Sequence, residues 1–348
     1  MVSVTNSMER MGSTSWLPII LLLAHGTFAF PQSASLWEPI PQPREDTAPS
    51  SSNSRDANRI GPAGRHGLWV TSQRGPTWLT QDDGRTWLQN KYPQDVVDEG
   101  GLAFIDGQHA WAAGAVRAGG SWLASTQNGG QTWRTVSTMP DARPGGFQDV
   151  QFLDGKFGIA VGVADSDEGG RSLIAVTHDG GASWKNQVFE KDQPDSVLLR
   201  VYIVSQSVAW AVGGASIYCT HDGGASWKIA YKELGLARFS SIAMINSSEI
   251  FVTGGWGLVL RSRDSGVTWE KLKLPPGIEG RYLDSVCFAD ALHGWIGGDR
   301  GTIIATADGG ATWHEERTGV KGLIRDMAVL GNSVYAVGDT FFLLGRKL

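Results

Sequence analysis

Cysteine is nearly missing from this chain: Cys219 and Cys287 are its two thiols in 348 residues. That scarcity excludes the disulfide framework by which small secreted domains hold themselves together. A strong charge of one sign is missing too. The net charge is −5, and nothing in the chain suggests the basic face that nucleic acid demands. Nucleic acid is therefore not an expected partner. No apolar run is long enough to cross a bilayer comfortably, since the longest, Trp16 to Ala24, falls well short of a membrane span. Helical stretches are absent as well. Glycine and tryptophan are in excess, at 46 and 15 residues. A chain of that composition reads as many short strands joined by tight turns. Its length exceeds two typical domains, yet closed all-β repeats commonly run this long as one unit.

The first residues differ from the rest. Arg10 precedes the apolar run, small residues come after it, and Thr27-Phe28-Ala29 offers a cleavage triplet. Residues 1–29 are therefore expected to be a secretory signal peptide. The protein would be exported, to a periplasm, a lumen or the medium, with no stable membrane insertion after cleavage. The start would lie at Met1, Met8 or Met11, and no cysteine stands nearby to carry a lipid. Residues 30–66 read as a closing strand and then a flexible segment. From Pro39 to Gly67 the chain is rich in Pro, Ser, Asn and Arg, a composition that does not bury enough apolar surface to order itself. Residues 67–348 carry the main pattern.

That pattern is an internal repeat. Thr177-His178-Asp179-Gly180-Gly181-Ala182-Ser183-Trp184 recurs almost unchanged from Thr220 to Trp227. Looser copies carry Asp82 with Trp87, Asp264 with Trp269 and Asp308 with Trp313, and one copy has Asn128 in place of Asp, with Trp133. The tryptophans at 87, 133, 184, 227, 269 and 313 are separated by 46, 51, 43, 42 and 44 residues. A period in the forties fits one four-stranded propeller blade. Upstream of each box lie a short apolar first strand, a second strand ending in glycine (Trp210-Ala211-Val212-Gly213, Trp295-Ile296-Gly297-Gly298) and a third strand such as Thr302 to Thr306.

Each residue of the box has a structural task. The Asp or Asn side chain accepts backbone N–H groups to close an Asx-type turn. Glycine supplies the positive φ of a tight hairpin. The Ser or Thr hydroxyl holds the carboxylate, and the tryptophan covers apolar surface at the blade edge. The last copy stops after Phe341-Phe342-Leu343-Leu344, before any box. Leu36-Trp37-Glu38-Pro39-Ile40-Pro41 resembles the outer-strand stretch at the end of the other repeats, as in Trp269 to Pro275. The expected fold is thus all-β, a seven-bladed propeller of four-stranded blades. Its N-terminal strand closes the last blade and leaves no open edge. A monomer is expected. In this register Cys219 and Cys287 lie two blades apart, beyond disulfide reach, as small buried strand residues.

The box matches the Asp-box, or BNR, repeat first noted in sialidases. The fuller pattern from Trp295 to Trp313, with Gly301-Thr302-Ile303-Ile304 between, resembles the photosystem II stability and assembly factors of the Ycf48/HCF136 type. The resemblance covers roughly residues 67 to 345, with the Trp37 piece matching the closing strand. It implies a seven-bladed propeller on the exported side of a membrane. It further implies a non-enzymatic chaperone that binds a membrane or envelope protein during biogenesis, without a cofactor. Relatives also occur in organisms without photosynthesis, so the resemblance does not name the cargo.

The other reading is a glycan-processing or glycan-binding propeller. A sialidase needs three arginines on the substrate carboxylate, a Tyr–Glu nucleophile and an acid/base. Arg59-Ile60-Gly61-Pro62 is the nearest approach to its first arginine stretch, and it falls in the segment expected to be flexible. None of the six tyrosines has an obvious Glu partner. No catalytic, cofactor or metal residues are assigned. Asp165-Ser166-Asp167-Glu168 has oxygen ligands of the kind Ca²⁺ takes, but such a run reads first as a solvated loop. His178 and His221 fill a variable box position, which argues for exposure. Arg200, Arg238, Arg281 and Arg325 lie at or near four consecutive inner-strand starts. Such starts meet at one mouth of the channel, so these four form a candidate basic arc for an acidic partner. Asp149, Asp284 and Asp326 would temper its charge.

Overall fold

A computed structural model describes residues 36–41, 57–64, 66–72, 77–90, 96–116, 121–138, 144–164, 170–189, 197–235, 237–339 and 343–348. The expected signal peptide and the acidic loop Asp165–Glu168 lie outside the described residues. Seven four-stranded antiparallel sheets succeed one another along the chain. The innermost strands of blades 1 to 7 are Ala57–Pro62, Val96–Phe104, Pro144–Phe152, Leu198–Ile203, Phe239–Met244, Leu283–Phe288 and Ile324–Leu330. Each begins a meander in which every strand pairs with its sequence neighbour.

Blade 7 is the exception, and it closes the ring. Its sheet runs Ile324–Leu330, Ser333–Gly338, Leu343–Lys347 and then Glu38–Pro39 from the other end of the chain. Glu38 pairs with Gly345 and Pro39 with Leu344. Trp37, just before that strand, is 2 % exposed and packs with Trp295, Ile303, Ile324 and Leu344.

The core lies between blades. Its buried residues fall into seven clusters, and each draws on two neighbouring blades. The box tryptophans do more than cover an edge: each reaches back to the preceding blade. Trp269 of blade 5 meets Trp210 of blade 4 edge-on at 6.2 Å, and Trp313 of blade 6 meets Phe251 of blade 5 at 6.3 Å. Trp184 packs against the cluster that holds Trp111, Trp133 against that of Trp69 and Trp87 against that of Tyr335, while Trp227 belongs to the cluster of Ile159. Trp37 takes the same place against Trp295, so a residue outside any box supplies the seventh inter-blade wedge.

Within a box the polar groups satisfy one another. The Thr220 hydroxyl donates to Asp222 Oδ1 at 2.8 Å and accepts the buried Gly224 N–H at 2.9 Å. Asp222 in turn accepts the Ser226 N–H at 2.9 Å and the Ser226 hydroxyl at 2.6 Å. Where Asn128 replaces Asp, its Nδ2 donates to the Thr132 hydroxyl at 2.9 Å, reversing that bond while keeping the turn. The carboxylate of Asp222 is held down at about 2, first by the Ser226 hydroxyl, then by the Ser226 amide and Thr220. His178 and His221 are exposed.

Two expectations are corrected. The segment read as flexible through residue 66 becomes, from Ala57, the innermost strand of blade 1, paired with Leu68–Ser72. Its composition is that of a loop, but its order comes from pairing with the next strand, from burial of Ala57, Arg59 and Ile60, and from bonds to distant blades. Cys219 and Cys287 are free and two blades apart, yet they are half-buried rather than buried. Cys287 lies in the channel wall, where burial raises its thiol pKa.

Candidate partner-binding face and channel

The inner strands share one register. The residue before the first inward apolar side chain is Arg59, Gly101, Asp149, Arg200, Ser241, Ser285 and Asp326 in blades 1 to 7. Four of these reach into the next blade and accept a backbone N–H there. Asp149 takes that of Val201 at 3.0 Å, Ser241 that of Val286 at 3.3 Å, Ser285 that of Met327 at 3.0 Å and Asp326 that of Ile60 at 3.1 Å. The last of these bonds joins blade 7 to blade 1.

Arg59 crosses the axis. Its Nε donates to the Gly100 carbonyl at 3.1 Å, and its Nη2 donates to Gln148 at 2.9 Å and Leu199 at 3.0 Å. One guanidinium thus ties blade 1 to blades 2, 3 and 4. Gly101 leaves room for this arrangement, since a Cβ there would sit 2.7 Å from Asp149 Oδ1. Arg200 Nη2 pairs with Asp326 Oδ1 at 3.0 Å, so this arginine turns into the channel instead of standing on its rim. Burial raises Asp149 and Asp326 to about 6, against the lowering pull of the Arg59 charge. Asp284 is raised to about 6 for the same first reason, with Arg325 opposing.

Beyond this ring the channel holds a cavity of about 530 Å³, lined further along by Phe104, Phe152, Tyr202, Cys287 and Phe288. Glycoside hydrolysis asks for two carboxyl groups presented to a substrate. Asp149 and Asp326 are instead occupied by amides and guanidinium groups. A Tyr–Glu contact does exist, from the Tyr231 hydroxyl to Glu233 Oε2 at 3.3 Å, contrary to the sequence expectation. It stands on the outer strand side of blade 4, where burial and the Glu233 charge raise the phenol pKa.

All inner strands start at one mouth. The loops entering them, and the turns joining second and third strands, share that face; the boxes, between third and fourth strands, are on the other. Arg238 and Arg281 are in the entering loops, and Arg325 is on the inner strand of blade 7. Arg238 Nη1 donates to the Ala237 carbonyl at 3.2 Å. Arg281 pairs with Glu315 at 3.1 Å and bonds the Thr302 hydroxyl, while Arg325 pairs with Asp339 at 2.9 Å. The four sequence-selected arginines are therefore divided. One is inside the channel, and three are on the mouth face.

Three further residues belong to that face. Trp256 and Arg300 occupy equivalent tips of the second-to-third-strand turns of blades 5 and 6, both in left-handed backbone, at φ 62° and 57°. Tyr282 stands between them in the entering loop of blade 6. A sequence signal existed: Trp256 comes just after the second-strand glycines and belongs to no box. Arg59 had a signal too, the alignment of Arg59-Ile60 with Asp149-Val150, hidden by its Pro- and Ser-rich flank.

A sequence profile described as "Photosynthesis system II assembly factor YCF48" matches residues 191–284. The curated photosystem II assembly lipoprotein Ycf48 of Synechococcus sp. (strain CC9902) is 27 % identical over 204 residues, 58 % of this chain and 45 % of that protein. The chain thus aligns with less than half the length of that relative. Among solved structures, YCF48 bound to D1 peptide superposes with a TM-score of 0.68 at 16 % identity, covering 90 % of this chain and 97 % of that one. The GH74 xyloglucanase of Xanthomonas campestris gives 0.66 at 14 % identity, covering 90 % of this chain and 53 % of that one. At those identities the superpositions show a shared propeller fold, and the resemblance to Ycf48-type assembly factors is carried by the sequence matches. No helix among the described residues is long and apolar enough to cross a membrane.

Proposed function

We propose that this chain is an exported, non-catalytic scaffold that holds a segment of a membrane protein during its assembly, on the mouth where the inner strands begin. The observation that carries this reading is the place of the profile match. Residues 191–284 include two of the mouth arginines, Arg238 and Arg281, together with the whole turn around Trp256. A relative of the same fold has been solved with a D1 peptide, which makes a peptide segment the natural cargo class. The chemistry of the mouth agrees: guanidinium groups on a ring made rigid by inter-blade bonds suit a carboxylate-bearing segment without needing to move. The likeness to a xyloglucanase is one of fold, and fold does not confer chemistry. The outer strand of each blade is only two to five residues long, an edge too short to template pairing with another chain, which favours a monomer.

The test uses the full chain and an overlapping set of synthetic peptides covering D1, with binding measured by calorimetry. Peptide binding that weakens at least tenfold in the double variant Arg238→Glu, Arg281→Glu supports the scaffold reading. Binding unchanged by reversal of both charges removes the mouth as the site.

A further inference from the structure

Tryptophan is a structural residue almost everywhere in this protein. Of those described, Trp37, Trp69, Trp78, Trp87, Trp111, Trp122, Trp133, Trp184, Trp210, Trp227, Trp269, Trp295 and Trp313 are buried or half-buried. Trp256 alone among the described tryptophans is exposed, at 56 %. It is also held in left-handed backbone, which is strained for a bulky L-residue and favours glycine. Strain of this kind persists where the surroundings impose it, and it concentrates at functional sites.

The surroundings do impose it. The Gly255 N–H donates to the Arg238 carbonyl at 2.9 Å, and the Gly257 N–H to the Arg281 carbonyl at 2.6 Å. One turn is thus bonded to the entering loops on both sides. The Asp299 N–H donates to the Tyr282 carbonyl at 2.9 Å, joining the next blade's turn to the same loop. Tyr282, 51 % exposed, lays its ring over Gly255, where a Cβ would meet it at 3.1 Å. Arg300 projects from the equivalent tip with its side chain 78 % exposed, reaching Asp299 at 3.9 Å. Two aromatic rings and three arginines therefore share one rigid platform. Glu315 answers Arg281, Asp299 stands near Arg300, and Glu279 adjoins the Trp256 turn, so the platform carries both signs, with Arg300 the most exposed of its three guanidinium groups.

We propose that Trp256 and Tyr282 form the apolar anchor of the partner site, with Arg300 beside them as its carboxylate contact, and that the occupant is an extended peptide segment pairing an apolar side chain with an adjacent carboxylate. The proposal deepens the scaffold reading and rests on it for the mouth as the binding face. Exposed aromatics next to arginine are the residue types that dominate binding energy at interfaces. The cross-bonded loops mean that little order is lost on binding.

The decisive variant is Trp256→Gly, because glycine suits the left-handed backbone while removing the ring. It is compared with the full wild-type chain against the D1 peptide set and against a displayed library of random peptides. The expected result is affinity at least tenfold weaker with a melting temperature equal to or above wild type, and a several-fold loss in Arg300→Glu. A residue with a purely structural role would lower the melting temperature and spare binding, which overturns the proposal. If D1 peptides bind Trp256→Gly as well as wild type, the anchor is wrong while the scaffold reading stands. If no D1 peptide binds but library peptides with an apolar–acidic pair bind in a Trp256-dependent way, the anchor stands and D1 is not the cargo. Silence in both sets removes both.

Discussion

Trp37 donates its indole N–H to a carboxylate oxygen of Glu316 at 2.9 Å, across 279 positions of sequence. The other oxygen of Glu316 pairs with Arg346 at 3.2 Å, whose guanidinium lies 5.3 Å from the Trp295 ring. The beginning of the propeller, its sixth blade and its last strand thus meet in one buried contact. Trp37→Ala is expected to cost about 3–5 kcal/mol, the usual loss for a buried Trp truncated to Ala, with Glu316 left short of a donor. Urea unfolding monitored by far-UV circular dichroism measures it. A loss below about 1 kcal/mol would mean that the ring closes without this strand.

Arg59 is the second closure. Arg59→Met keeps the stem but removes three carbonyl contacts and leaves Asp149 and Asp326 with less opposing charge. Breaking a buried pair from one side typically costs about 3–5 kcal/mol. The double variant Arg59→Met, Asp149→Asn should recover part of that loss, which a double-mutant cycle in urea reads directly. Strict additivity would show that the two residues do not interact.

Stability should depend on pH in two opposite ways. Asp149, Asp284 and Asp326 are raised to about 6 by burial, above the ordinary 3.8. The folded state then holds protons that the unfolded chain has released, so their contribution is fully present below 3.8 and is lost as pH rises through 6. The box carboxylates Asp82, Asp179, Asp222 and Asp308 are lowered to about 2 by hydrogen bonds. Their contribution is present above 3.8 and is lost as pH falls through 2. The melting temperature should therefore be higher at about pH 5 than at about pH 7.5, and should fall again below about pH 4. Asp326→Asn should flatten the upper limb; a wild-type curve that climbs steadily from pH 5 to 7.5 would contradict the assignment.

In the boxes, the hydroxyl at the end of the third strand matters more than the carboxylate that names the motif. Thr220 is 1 % exposed and accepts the buried Gly224 N–H, whereas Asp222 is exposed. Thr220→Val should cost about 1–3 kcal/mol, the penalty of an unsatisfied buried donor. Asp222→Ala should cost less, because water replaces the carboxylate. Parallel thermal melts rank the two, and the reverse order would refute this account.

Much of this was legible in the residues. The box repeats, the Trp spacing and the shortfall of one outer strand were enough to place Trp37 in blade 7, because a period in the forties and an unpaired edge each have one simple solution. The inner strand of blade 1 was not legible, since beyond its pairing with Leu68–Ser72 it is buried and bonded to blades 2, 3, 4 and 7, which no local pattern announces. The arginines were legible as positions but not as directions. Arg200 and Arg325 both lie at inner-strand starts, yet a one-residue difference in register sends Arg200 into the channel and leaves Arg325 beside Asp339.

By itself the sequence determined the repeat, its turns and the number of blades, because those come from local hydrogen bonding and the alternation of short strands. Tertiary structure alone decided which charges close the ring and which face outward. Such choices depend on contacts between blades, where burial sets the cost of each charge, and no local pattern encodes them. Trp256 shows the division most plainly: its neighbours in sequence predict a turn, and the surrounding loops decide that its ring stands in water.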